Sequence, residues 1–307
     1  MGSTALVLSV VTSLAAYFWR TQIRDSIRVL QLACSVLQTH PQLVALSIVL
    51  TVVLVCFTVV WMYLFVWLFY LAEQDENGMY GQLNGGTFVA IAFFLLVYFW
   101  TAALIDYGSK FIISGVTSHW YFHRHDILRN RSNPMFTFLR LSATSSFGSL
   151  AFAALVLSSV QLLRYFVDHV LRRLSGASKL MACCCSGILH LLEALIAKVS
   201  AYSIARMAIS GDGFCDSVGF IADMLPRAKM MAAINVLATT LLGMWNLAFA
   251  FVCGALAMAI GAVLNGSVSS TAAIVVFATA VAFCVMRFYT GMLTAMCDPI
   301  GVLLAIC

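Results

Sequence analysis

Three ionisable side chains, Asp106, Lys110 and Glu193, stand inside long apolar stretches. A charge there is costly enough to mark a functional position by default. Aromatic residues crowd the first two of them: Phe93, Phe94, Tyr98, Phe99, Trp100, Tyr107, Trp120, Tyr121 and Phe122. The faces of Trp and Tyr attract a weakly hydrated cation such as trimethylammonium through the ring quadrupole. Tyr98, Trp100 and Tyr107 beside Asp106 therefore form a candidate substrate-binding cage for an organic cation, with Glu193 as the reserve acid. Plainer readings stand beside this one. Asp106 and Lys110 are four residues apart and can neutralise each other on one helical face, while Glu193 can pair with His190 three residues earlier.

Other chemistry has little to stand on. His123 and His125 flank Arg124 next to Asp126, but no further ligand follows at metal-binding spacing, so the segment reads as a charged surface and no metal is expected. The sequence has no Gly-rich loop with a Lys for phosphates and no Gly-x-Ser-x-Gly elbow. It also lacks a carboxylate cluster suited to Mg²⁺. No catalytic residue, no enzyme activity and no cofactor are expected.

The elements that must position these residues follow from composition. The chain has 307 residues, of which 63% are hydrophobic and only 9% charged. So much apolar side chain cannot be hidden inside one water-soluble globule, which makes lipid the solvent for much of the surface. Backbone groups in lipid must be satisfied internally, and the apolar runs are long and unbroken rather than alternating, so the fold class is all-α, a polytopic transmembrane helical bundle.

About seven spanning units are expected, since a crossing needs roughly 20 apolar residues. They are Ala5 to Trp19, Leu43 to Tyr70, Thr87 to Phe122, Ala143 to Phe166, Met181 to Ile209, Met230 to Val263 and Thr271 to Met296. The third is about 36 residues long, more than one straight crossing requires. Between the first two lies an amphipathic stretch, Arg20 to His40, ended by Pro41. Arg20, Arg24 and Arg28 share one helical face and Ile23, Ile27, Leu30 and Leu37 another, as an interfacial helix requires.

Charge sets orientation. The net charge of +5 comes from basic residues gathered in a few segments between spans, a pattern that orients helices and does not suit nucleic acid. The acidic segment Glu73 to Gly86 reads as non-cytoplasmic and the basic segment His123 to Met135 as cytoplasmic; alternation then puts the C-terminus in the cytoplasm. Arg164, Arg172, Arg173 and Lys179 disagree with that alternation, so either they snorkel from an interfacial helix or the count differs there.

Of ten cysteines, Cys34, Cys56, Cys253, Cys284 and Cys297 lie singly in apolar stretches and read as small hydrophobes. Cys183, Cys184 and Cys185 read as packing residues, with palmitoylation as the alternative. No cleaved signal or myristoylation site is expected at the N-terminus. Gly254, Ala255, Ala257, Ala259 and Gly261 would let a second helix approach the sixth unit closely. Nothing divides the chain, so residues 1–307 are expected to form a single membrane domain.

The segment from Tyr98 to Phe122 carries a Phe-Trp pair, a Gly region and a Trp120-Tyr121-Phe122 ending before a basic segment; it resembles a hallmark of the choline transporter-like family, fungal-type relatives included. Further segments agree in order. Ser146-Phe147-Gly148-Ser149-Leu150-Ala151 resembles the family's His-Leu-Gly-Ser-Leu-Ala helix opening, with Ser146 for the His, and Gln161 and Arg164 follow as in the family. Cys183 to Cys185, Leu192-Glu193, Ala201-Tyr202 after Ser200 in place of Asn, and Phe214-Cys215-x-Ser217 resemble later motifs.

The resemblance runs from about Arg20 to Asp298. It implies transport of choline or a related quaternary ammonium, under the influence of protons, in a multi-pass plasma-membrane carrier. The lipid bilayer and a second copy of the chain are the further partners expected. It also implies that three N-terminal helices of the family's pattern precede the part represented here. The alternative is a non-transporting truncated protein or a membrane assembly partner.

Overall fold

The computed structural model describes residues 20–73, 85–124, 134–173, 177–224, 229–265 and 268–306, with side chains near several helix ends outside the described set. Nine helices occur among the described residues: α1 (Arg20–Thr39), α2 (Gln42–Glu73), α3 (Gly85–His123), α4 (Pro134–Ala143), α5 (Phe147–Arg173), α6 (Ala177–Ser210), α7 (Phe214–Met224), α8 (Lys229–Asn265) and α9 (Val268–Ile306). No strand occurs among the described residues, in accord with the expected all-helical class.

The expected count of seven spans is corrected. Among the described residues five helices are long and apolar enough to cross a membrane, over Gln42–Trp67, Val89–His123, Phe147–His169, Ser186–Ser210 and Thr239–Gly261. The expected first unit, Ala5 to Trp19, lies outside the described residues. The expected seventh falls on α9, whose first half includes side chains outside the described set and whose second half carries Arg287, Asp298 and Pro299. Also outside are residues 74–84 of the acidic segment and His125, Asp126, Arg129 and Arg131 of the basic one, together with the side chains of Arg172, Arg173, Lys179 and Cys183 to Cys185.

The chain forms two compact units, residues 40–223 and the remainder. In the first, α3 is the central element and packs against α2, α4, α5 and α6. At 1.5 Å per residue its 39 residues extend about 58 Å, enough to pass every neighbour along its length. Ala103, Tyr107 and Phe111 recur every four residues on its core-facing side, where Leu150, Ala154 and Leu157 of α5 and Ile204 and Met207 of α6 enclose them. Phe138 of α4 stands edge-on to Phe111 at 6.5 Å.

Gly115 is the contact that lets α4 approach. A Cβ there would overlap the Phe138 ring, so the glycine of the aromatic hallmark acts as a packing residue. Gly115→Ala is expected to cost about 1–3 kcal/mol by overpacking, and Phe138→Leu in the same chain should return most of it. Thermal stability of the two variants in detergent checks this.

Two short elements escaped the sequence reading. Pro134 begins α4, where the missing N–H costs nothing, and a turn at residues 144–146 separates α4 from α5. Helix α6 ends at Gly211, whose φ of 76° suits glycine and whose N–H donates to the Met207 carbonyl at 2.9 Å. Helix α7 follows at once. Its Phe214 packs into the core and meets Phe152 edge-on at 6.2 Å, and Ser217 is fully buried, so the Phe-Cys-x-Ser motif serves the fold. Arg206 reinforces the turn, pairing with Asp212 at 3.3 Å and lying 3.3 Å from the Phe220 ring centroid.

In the second unit, α8 and α9 pair along their length and α1 packs on both. Gly254 faces Thr279, where a Cβ would sit 2.7 Å from the hydroxyl oxygen, so this glycine of the small-residue cluster admits the hairpin partner α9, while Ala255 and Ala259 are exposed. The amphipathic reading of α1 is met in part: Arg20, Arg24 and Arg28 are exposed as expected, but the buried side is Ser26, Val29, Ala33 and Val36, while Ile27 of the expected apolar face is 48% exposed and Leu30 and Leu37 are only half-buried.

Candidate functional site

Polar residues recur along one face of α5 at helical spacing: Gln161, Arg164, Tyr165, Asp168 and His169. With Phe99 of α3 and Glu193 of α6 they line a partly enclosed cavity of about 370 Å³, within the size range of small-molecule sites. Arg164 joins its wall together. One Nη1–H donates to Glu193 Oε2 across the α5–α6 interface, and Nε lies 3.9 Å from Asp168 Oδ2 one turn along α5. Ser186 of α6 donates to the other Asp168 oxygen at 2.6 Å.

The electrostatic balance follows directly. One guanidinium faces two carboxylates, so with His169 neutral the wall carries a formal charge of −1. Glu193 is the more enclosed acid, at 15% side-chain exposure against 39% for Asp168. A charge in such a place interacts strongly, because little water screens it. Phe99 and Tyr165 supply aromatic surface, and His169 stacks on Tyr165 at 6.4 Å. A monovalent cation with an apolar coat suits this combination of excess negative charge and aromatic wall.

Of the five residues expected to bind substrate, Tyr98, Trp100, Asp106, Tyr107 and Glu193, Glu193 lines this cavity, and Phe99, Gln161 and Arg164, noted for other reasons, line it too. The partner of Glu193 is Arg164; His190, the partner the spacing suggested, is exposed on α6. The other four turn different ways. Tyr98 faces α2, tilted against Trp61 at 4.6 Å with its hydroxyl 3.4 Å from Thr58 Oγ1. Trp100 donates Nε1–H to the Ala151 carbonyl of α5 at 3.0 Å. Asp106 is half exposed and bound to Lys110 at 2.7 Å, as the i,i+4 reading anticipates. Tyr107 is buried in the core beside Ser200, without a hydrogen bond of good geometry, and Lys110 Nζ already lies 5.4 Å from its ring centroid.

Helical phase explains the dispersal. Positions 98 and 107 differ by nine residues, close to half a turn in direction, so one straight helix cannot aim both rings at one ligand. Phe99, next to two of the chosen residues, is the aromatic of α3 that lines the cavity with Glu193. The polar stripe from Gln161 to His169 inside an apolar span was the available signal for the cavity.

The motifs noted in the sequence also meet one another. Trp100 of the aromatic hallmark is held by Ala151 of the α5 opening, and Tyr107 lies beside Ser200, which precedes the Ala-Tyr pair. His123 stacks on His119 at 4.6 Å and has the His119 carbonyl 2.9 Å from Nδ1. Among the described residues no three metal-ligand side chains gather.

The chain is 24% identical over 239 residues to a CTL-like protein of Dictyostelium discoideum, covering 76% of this chain and 46% of that protein. It is 27% identical over 175 residues to Protein PNS1 of Eremothecium gossypii, covering 54% and 31%. It is 25% identical over 144 residues to Choline transporter-like protein 2 of Salmo salar, covering 46% and 20%. The chain thus spans less than half the length of these relatives. The model of the family described as "Plasma-membrane choline transporter" matches residues 4–306, so this multi-pass membrane chain belongs to the choline transporter-like family.

Proposed function

We propose that the chain carries choline or a related quaternary ammonium across the plasma membrane, with the Glu193 cavity as the cation site. The observation that carries this reading is the cavity wall, where two carboxylates outnumber one guanidinium beside Phe99 and Tyr165. Glu193 supplies the balancing charge, and the two rings supply the π-faces that a trimethylammonium group prefers to water. Tyr98 against α2, Trp100 on the Ala151 carbonyl and Tyr107 in the core fix the position and roll of α3, and through it the position of Phe99, while the Asp106–Lys110 pair lies within α3 itself. Movement of the helices around this site would expose it to each side in turn. Both units work together in this scheme as one membrane domain.

Membership of a transporter family supports the carrier reading, and likeness to Choline transporter-like protein 2 of Salmo salar supports choline as the substrate. Uptake of radiolabelled choline into proteoliposomes containing the chain tests it. Saturable uptake above empty vesicles, inhibited by excess unlabelled choline, is the expected result. Uptake equal to that of empty vesicles would contradict it and favour a membrane assembly partner that does not itself transport.

A further inference from the structure

The arginine face of α1 takes no part in the carrier site, yet its geometry is well defined. Arg20, Arg24 and Arg28 are all exposed, Arg28 with 69% of its side chain accessible. Their spacing of four residues puts successive guanidinium groups about 6 Å apart along the helix axis. Ser26, Val29, Ala33 and Val36 bury the opposite side of α1, which packs against α8 and α9, so the helix cannot roll to hide its cations.

The flank beside the arginines is apolar and open. Ile27 is 48% exposed, and with Leu30, Gln31, Cys34, Ser35 and Gln38 it borders a shallow groove of about 370 Å³. Three arginines against Asp25, which sits 3.7 Å from Arg28, leave a formal charge of +2 on this face. A cationic edge running into an apolar groove matches one environment closely: the boundary between headgroup phosphates and acyl chains.

We propose that α1 is a binding surface for anionic phospholipid, with Arg20, Arg24 and Arg28 on the phosphates and the Ile27–Leu30 groove against the upper acyl chain. Guanidinium groups hold phosphate oxygens in pairs, and the excess positive charge selects lipids of net negative charge over zwitterionic ones. The surface is independent of the cation cavity, and it ties the second unit to lipid composition.

Native mass spectrometry of the full chain, purified and supplied with phosphatidylglycerol or phosphatidylcholine, tests the proposal. Wild-type chain should retain phosphatidylglycerol in preference. Arg20→Gln, Arg24→Gln and Arg28→Gln together should weaken that retention by about tenfold or more, leave phosphatidylcholine unchanged, and be largely rescued by lysine at the same three positions. Unchanged phosphatidylglycerol retention in the glutamine variant, or an equal fall for both lipids, would overturn it. If the glutamine variant fails to fold, the wild-type chain still decides: its thermal stabilisation by phosphatidylglycerol should shrink between low and high salt, and a salt-independent stabilisation contradicts the proposal.

Discussion

Replacing Glu193 with alanine is expected to destabilise the chain by about 2–3 kcal/mol, and replacing Glu193 and Arg164 together by about 1 kcal/mol less. The single change strands a guanidinium between helices, with Asp168 at 3.9 Å as its remaining counter-charge. A fully buried pair broken in this way would cost about 3–5 kcal/mol; the partial exposure of Arg164 lowers the figure. The double change removes both the stranded cation and its missing partner. Thermal unfolding in detergent, followed for both single variants and the double variant, measures the coupling. Additive losses would mean that the two side chains do not act as a pair.

Trp61→Ala should produce the largest loss of stability, about 3–5 kcal/mol. Most of α2 is exposed to its surroundings: Val49, Val59 and Tyr63 each have more than half their surface open. Its hold on α3 is concentrated at Trp61, whose ring lies 4.9 Å from Phe65, 5.0 Å from Phe94 and 4.6 Å from Tyr98. Removing that ring leaves the other three without a common neighbour. Since the indole Nε1 has no hydrogen-bond partner, Trp61→Phe should keep most of the stability. Protease sensitivity of the segment between α2 and α3, compared in the two variants, reads out the difference.

The helical class and the long core elements were legible because their signal is composition over long windows. Leu43 to Tyr70 and Thr87 to Phe122 each fall within a single helix. The count of five among the described residues departs from the expected seven at the ends of the chain, where one expected unit lies outside the described residues and much of the first half of α9 has side chains outside the described set. Short helices were less legible. Only ten residues form α4, and the Phe-Cys-x-Ser motif gave no hint that it opens a helix of its own.

The candidate site was legible in part and for a physical reason. Glu193 stood out because an acid in a span is costly, and it lines the cavity. Tyr98, Trp100 and Tyr107 stood out by type and nearness in sequence, but a helix spreads near neighbours around its axis. Arg164 was noticed as a cation that disagreed with topology and as a match to the family's pattern, not as a partner of Glu193. Its pairing with Glu193 across the α5–α6 interface is a tertiary contact that no spacing within α5 announces.

The most direct measurement is equilibrium binding of radiolabelled choline to the purified chain, by scintillation proximity, comparing wild type with Glu193→Asp and Glu193→Gln. If the Glu193 cavity holds the cation, aspartate should keep most of the binding and glutamine should weaken it by about tenfold or more, the loss expected from removing one poorly screened counter-charge. Binding that is unchanged by Glu193→Gln in a variant that remains folded would contradict the account.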